Sequence, residues 1–150
     1  AQDVIEKNES MIFLEHDVVV TSPPPKDDGV EYFCFLNIDG AFKKPNVLAN
    51  YPHLVDWYKS HSHGLGIQDF PSNYPLRYNK ENDWKGQSIT PGLSGYILTV
   101  KGAKMLLDKV EKYGIEQGDF TFNNRVIPMQ YIYPSPIKFQ KVNPNLSHRL

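Results

Sequence analysis

The stretch that most constrains this chain is SGYILTVKGAKMLLDKVEKYG, residues 94–114, where a β-rich run passes without a linker into an amphipathic helix. Thr99 can cap that helix, Ala103, Leu106, Leu107 and Val110 recur at i, i+3, i+4 and i+7, and Gly114 can end it. A helix with one apolar stripe has to cover something, and a strand fused to its first turn makes a sheet face the nearest candidate. Two further β-rich runs, MIFLEHDVVV (residues 11–20) and EYFCFLNID (31–39), are nearly continuous in apolarity, which suits strands buried on both faces. The expected fold is α/β with a mixed sheet.

The rest of the chain is read more coarsely. Residues 2–8 resemble the tail of a helix, and the prolines at 23–25 form an extended connector. Residues 41–93 are loop-rich and are expected to hold one short helix, PHLVDWYKSH, with Pro52 in its first turn, and to serve as a lid. VIPMQYIYPSPIKF (126–139) is interrupted by three prolines and so reads as edge strand or extended chain. With 150 residues the chain fits a single domain spanning 1–150.

Composition limits the partners. Sixteen basic residues against seventeen acidic ones leave no one-signed field, so nucleic acid is not an expected partner. No apolar run is long enough for a transmembrane segment, and AQDVIEKNES lacks the basic-then-apolar pattern of a secretory signal, which leads us to expect a cytoplasmic protein. Cys34, the only cysteine, lies in an apolar run and is expected to be an inert buried thiol.

Chemistry is expected at the ends of the first two strands. In open α/β sheets ligands gather beyond the strands' carboxyl ends, and both runs end in acids. Glu15 and Asp17, at i and i+2 of an extended segment, share a face and suit one Mg²⁺ or Mn²⁺ as hard oxygen ligands, with His16 pointing away. The same spacing suits acids at a solvated strand end paired with nearby Lys or Arg. His61 and His63 in HSHG read as a polar loop. The aromatics Trp57, Tyr58, Phe70, Tyr74, Tyr78 and Trp84 suit either a sugar-stacking platform or a small core of their own. Lys43, Lys44, Arg77, Lys80 and Lys85 could meet a phosphate, although the acids among them keep the local charge near neutral.

FLEHDV resembles the LEDD-type segment of glycosyltransferase family 25, the lipooligosaccharide and collagen galactosyltransferase group. EYFCFLNID, SGYILTVKGAKMLLDKV and QGDFTFNNRVIPMQYIYPSPI are similar to three further family segments in the same order, the Gly102-Ala103 helix being the most specific. What the resemblance implies is an A-type transferase fold, with a divalent metal (Mn²⁺ or Mg²⁺) bridging Glu15 and Asp17 to the diphosphate of a nucleotide-sugar donor, for which a UDP-sugar is expected. It further implies Asp119 as a residue that contacts the acceptor hydroxyl or acts as general base, and His148 near the chain end as an additional metal ligand. A helix cap for Asp119 and a frayed terminus for His148 are the alternatives. The sequence departs from the pattern at His16, where the family has an acid, and the family's preceding nucleotide-binding segment has no counterpart ahead of Met11. The expected function is metal-dependent sugar transfer to a glycan or other hydroxyl acceptor, with a non-catalytic carbohydrate or nucleotide-sugar binding module as the alternative. A homodimer that covers an open sheet edge is also expected.

Overall fold

The computed structural model describes residues 2–23, 29–71, 74, 94–113 and 127–140. Its elements in chain order are α1 (Gln2–Lys7), β1 (Met11–Leu14), β2 (Val18–Val20), β3 (Phe33–Phe35), α2 (Ile38–Ala41), α3 (Pro45–Asn50), α4 (Pro52–Ser60), β4 (Gly66–Asp69), β5 (Gly95–Leu98), α5 (Val100–Tyr113), β6 (Gln130–Tyr133) and β7 (Ile137–Phe139). Five strands form a mixed sheet in the order β1-β5-β3-β6-β4, and β2 and β7 form a separate antiparallel pair. The α/β class with a mixed sheet is therefore observed. Among the described residues no helix is long and apolar enough to cross a membrane.

β3 is the axis of the molecule because side chains alternate across a strand. Phe33 and Phe35 face the larger core, with Leu98, Ala103 and Tyr131, while Cys34 and Leu36 face a smaller one with Ile97 and Ile137. Both faces are covered, as its unbroken apolarity requires. Burial pushes the Cys34 thiol up to about 12, so it stays protonated. α1 and α5 pack together over the larger core, to which they contribute Val4 and Ala103, each with no exposed surface.

The strand-to-helix passage at 99 is as expected. Thr99 Oγ1 accepts the Gly102 N–H at 3.0 Å and donates to the Glu31 carbonyl at 2.8 Å, so one hydroxyl caps α5 and ties it to the chain entering β3. Pro52 opens α4, also as expected.

Four expectations change. MIFLEHDVVV is not one strand: it breaks at Glu15–Asp17, where the Val18 N–H reaches the Glu15 carbonyl at 3.4 Å and the chain leaves one sheet for the other. β1 is an edge strand, not one buried on both faces, with Ile12 and Leu14 44% and 46% exposed. The stretch after residue 41 carries α3 and β4 besides the expected helix, and α2 reaches into it from Ile38; Leu54 and Trp57 of α4 are buried in the larger core. β6 lies inside the sheet, between β3 and β4, because Pro128 and Pro134 fall just outside it and remove none of its ladder donors.

Candidate functional site

Strand directions determine what is brought together. β1 and β3 are both antiparallel to β5, and β6 is parallel to β3, so β1, β3 and β6 all run the same way. Their carboxyl ends deliver Glu15–Asp17, Asn37–Asp39 and Ser135 to one edge of the sheet. This is the edge at which open α/β sheets bind ligands.

Asn37 holds that edge together. It is 4% exposed, its Nδ2 donates to Ser94 Oγ at 3.0 Å, and its Oδ1 accepts the Gly40 N–H at 3.2 Å as the cap of α2. Ser94 in turn accepts the Glu15 N–H through its carbonyl at 2.9 Å. The end of β3, the start of β5 and the acidic turn are thus linked through two residues. Asp39, expected at a strand end, stands instead in the first turn of α2, where its N–H donates to Ser135 Oγ at 3.1 Å and its carboxylate accepts the Ser135 N–H at 3.4 Å.

The acids of the turn are not on one face of an extended segment, since the chain reverses there. The Asp17 carbonyl accepts the Gln140 N–H at 2.7 Å, which pins the turn to the end of β7. Asp17 Oδ1 is buried and has no hydrogen-bond partner among the described residues. A buried carboxylate oxygen left unpaired is costly, and a cation or a strong donor would relieve it. Glu15 is exposed. Its negative charge adds to burial, the larger cause, in raising the Tyr96 phenol above its usual range. The hard oxygens of Glu15 and Asp17 fit Mg²⁺ or Mn²⁺ in donor chemistry. No group of three His, Cys, Asp or Glu side chains suited to a metal occurs among the described residues. Asp119 and His148 lie outside the described residues, as do Tyr78, Trp84, Arg77, Lys80, Lys85 and residues 75–93 of the expected lid.

Next to Asn37 opens a cleft of about 640 Å³, lined by Asp39, Lys43, Lys44, Ile137, Lys138 and Phe139 among others. Lys43 and Lys44 were visible as basic residues in the sequence. Lys138 was not marked by any local signal, because it joins Lys43 and Lys44 only through the packing of β7 beside α2, about a hundred residues apart in the chain.

The histidine pair is built into packing. His63 Nδ1 meets the Tyr131 hydroxyl at 2.8 Å, Nε2 donates to the Tyr58 carbonyl at 2.9 Å, and the ring stacks on Tyr133. Trp57, Phe70 and Tyr74 are likewise buried, but in the larger core with Phe35 and Tyr131 rather than in a small core of their own, which leaves no stacking platform at these positions. Burial lowers the affinity of His63 for a proton, an effect partly opposed by Asp39; His61 is lowered by burial and then by His63. Below the ordinary histidine value of about 6.5 the unfolded chain therefore binds more protons than the folded one. Stability should be full above that value and fall as pH drops from 7 to 5.5. Thermal melts across that range should show the decline, and the His61→Gln/His63→Gln double variant should flatten it; an equal decline in the double variant would assign the effect to other groups.

Comparison with protein-family models, curated proteins and solved structures found no match. Fold and edge together define a mixed α/β protein with an acidic turn and a lysine-lined cleft on the carboxyl side of its sheet.

Proposed function

We propose that this chain is a metal-dependent glycosyltransferase domain of the A type, which takes a nucleotide sugar, with UDP as the expected nucleotide, and transfers the sugar to a carbohydrate or other hydroxyl acceptor. The observation that carries this reading is Oδ1 of Asp17, buried and without a hydrogen-bond partner among the described residues, at the carboxyl edge to which β1, β3 and β6 all run. Glu15 and Asp17 are the residues that would hold the cation, with His148 as a further candidate. A divalent cation, when bound, supplies Lewis-acid relief of the negative charge on a diphosphate leaving group.

The remaining roles fall to the chain itself. Asn37 and Ser94 keep the acidic turn fixed against the sheet, so its position does not have to be organised on binding. Asp119 is assigned the acceptor side, where a carboxylate can take the proton of the attacking hydroxyl. A second reading, a non-catalytic nucleotide-sugar or carbohydrate binding module, is favoured by His16, which stands where the resembling motif has an acid.

Calorimetric titration with UDP, with and without Mn²⁺, tests the site. Binding should require the metal and weaken at least about tenfold in Asp17→Asn, a loss of about 1.4 kcal/mol. Metal-independent binding, or unchanged binding in the variant, would remove Asp17 from the role. Release of UDP from UDP-sugars in the presence of hydroxyl acceptors then separates the transferase from the binding module.

A further inference from the structure

The lysine cleft holds more positive charge than the fold uses. Lys43, Lys44 and Lys138 line it together with a single carboxylate, Asp39. Among the described residues none of these lysines is ion-paired; a salt bridge elsewhere joins Lys101 to Glu31 at 3.9 Å. Lys44 Nζ lies 4.7 Å from the centre of the Phe139 ring, a contact that steadies the ammonium without neutralising it. Three ammoniums against one carboxylate leave an excess of two positive charges, matching a phosphomonoester, which carries about −1.5 to −2 at neutral pH.

The other walls suit the rest of a sugar. Phe139, half-buried, offers apolar surface to the C–H face of a ring. Ser135 accepts the Asp39 N–H, which leaves its own hydroxyl proton to donate. The volume, about 640 Å³, lies in the range of small-molecule sites, and the chain as a whole, at net charge −1, lacks the extended basic surface that a nucleic acid needs.

We propose that this cleft binds a phosphorylated sugar, with the phosphate among Lys43, Lys44 and Lys138 and the ring against Phe139. The proposal does not depend on a metal at the acidic turn or on sugar transfer.

Glucose 6-phosphate is the probe, with glucose, inorganic phosphate and a short single-stranded oligonucleotide alongside. Wild-type protein should bind the sugar phosphate saturably at one site, more weakly as salt rises, and should bind it more tightly than phosphate; glucose should give no signal at about 10 mM. Lys43→Gln/Lys138→Gln should weaken binding at least tenfold with an unchanged melting midpoint, both lysines being exposed. Asp39→Asn, which removes the one like charge, should tighten it several-fold and provides an independent reading if the double variant folds poorly. Absence of binding, equal affinity for phosphate and sugar phosphate, or displacement by the oligonucleotide at lower concentration would each overturn the proposal. Metal-dependent UDP binding should be untouched by the lysine changes; if it falls with them, the cleft is part of the nucleotide site and the proposal fails, while loss of UDP binding in Asp17→Asn alone leaves it intact.

Discussion

Gly102→Val should abolish cooperative unfolding, and Gly102→Ala should cost about 2 kcal/mol, a drop of roughly 4–8 °C in melting temperature. The reason is a contact between main chains. A Cβ on Gly102 would collide with the carbonyl oxygen and carbon of Tyr32, and that carbonyl cannot retreat because it accepts the Thr99 N–H at 3.1 Å. Thr99 meanwhile binds both the Gly102 N–H and the Glu31 carbonyl, so the first turn of α5 is pinned on two sides. Alanine improves helix propensity by about 1 kcal/mol, which is too little to offset overpacking against backbone. Valine would lift the helix off β5 and open the larger core over Leu98 and Ala103. Gly64→Ala is the matched control, since the nearest atom to its added Cβ lies 3.7 Å away. A Gly102→Val protein that melts like wild type would show that α5 does not dock as described.

Asn37→Ala should lower stability by about 2–4 kcal/mol and, by the same change, weaken metal-dependent UDP binding. Two losses add. The cap of α2 contributes about 1 kcal/mol, and the Ser94 hydroxyl left behind in a buried position costs about 1–3 kcal/mol. For a chain of 150 residues the combined loss corresponds to a fall of roughly 5–15 °C in melting temperature. Asn37→Asp is the informative companion: it keeps the capping oxygen but loses the donor to Ser94. Thermal melts together with UDP titrations separate the effects, and an Asn37→Ala protein of wild-type stability would contradict the network drawn around Ser94.

What could be read from the sequence is what local chemistry decides. The α5 segment was legible because Thr99, the apolar repeat and the strand before it all point to one structure, and α4 because Pro52 and the apolar edge of Leu54 and Val55 agree. β3 was legible as a strand covered on both faces. The break at Glu15–Asp17 was not, since no glycine or proline marks it; it is imposed by the pairing of Val18–Val20 with Ile137–Phe139, at the far end of the chain. Edge and interior strands were exchanged for a similar reason. β1 is greasy enough to look central, and β6 is flanked by prolines that suggest an edge, yet strand position follows from which segments meet in space. The acids of the candidate site were legible as residues but not as geometry, and the linking pair Asn37 and Ser94 carries no motif that a single sequence displays.

The strand order also bears on how the protein reaches its fold. None of the five described strand pairings joins strands that follow one another in the chain: Leu14 meets Gly95, Cys34 meets Gln130, and Val20 meets Ile137. No hairpin among the described strands can nucleate this sheet, and each described ladder must first close a long loop against chain entropy. Refolding in the millisecond-to-second range is the expectation, with helix formation at α5 running ahead of sheet assembly. The entropy of closing a loop grows only with the logarithm of its length, so segments between the paired strands can lengthen or shorten at small thermodynamic cost. The same non-local wiring that slows assembly thus leaves evolution free to vary the connections while the carboxyl edge stays in place.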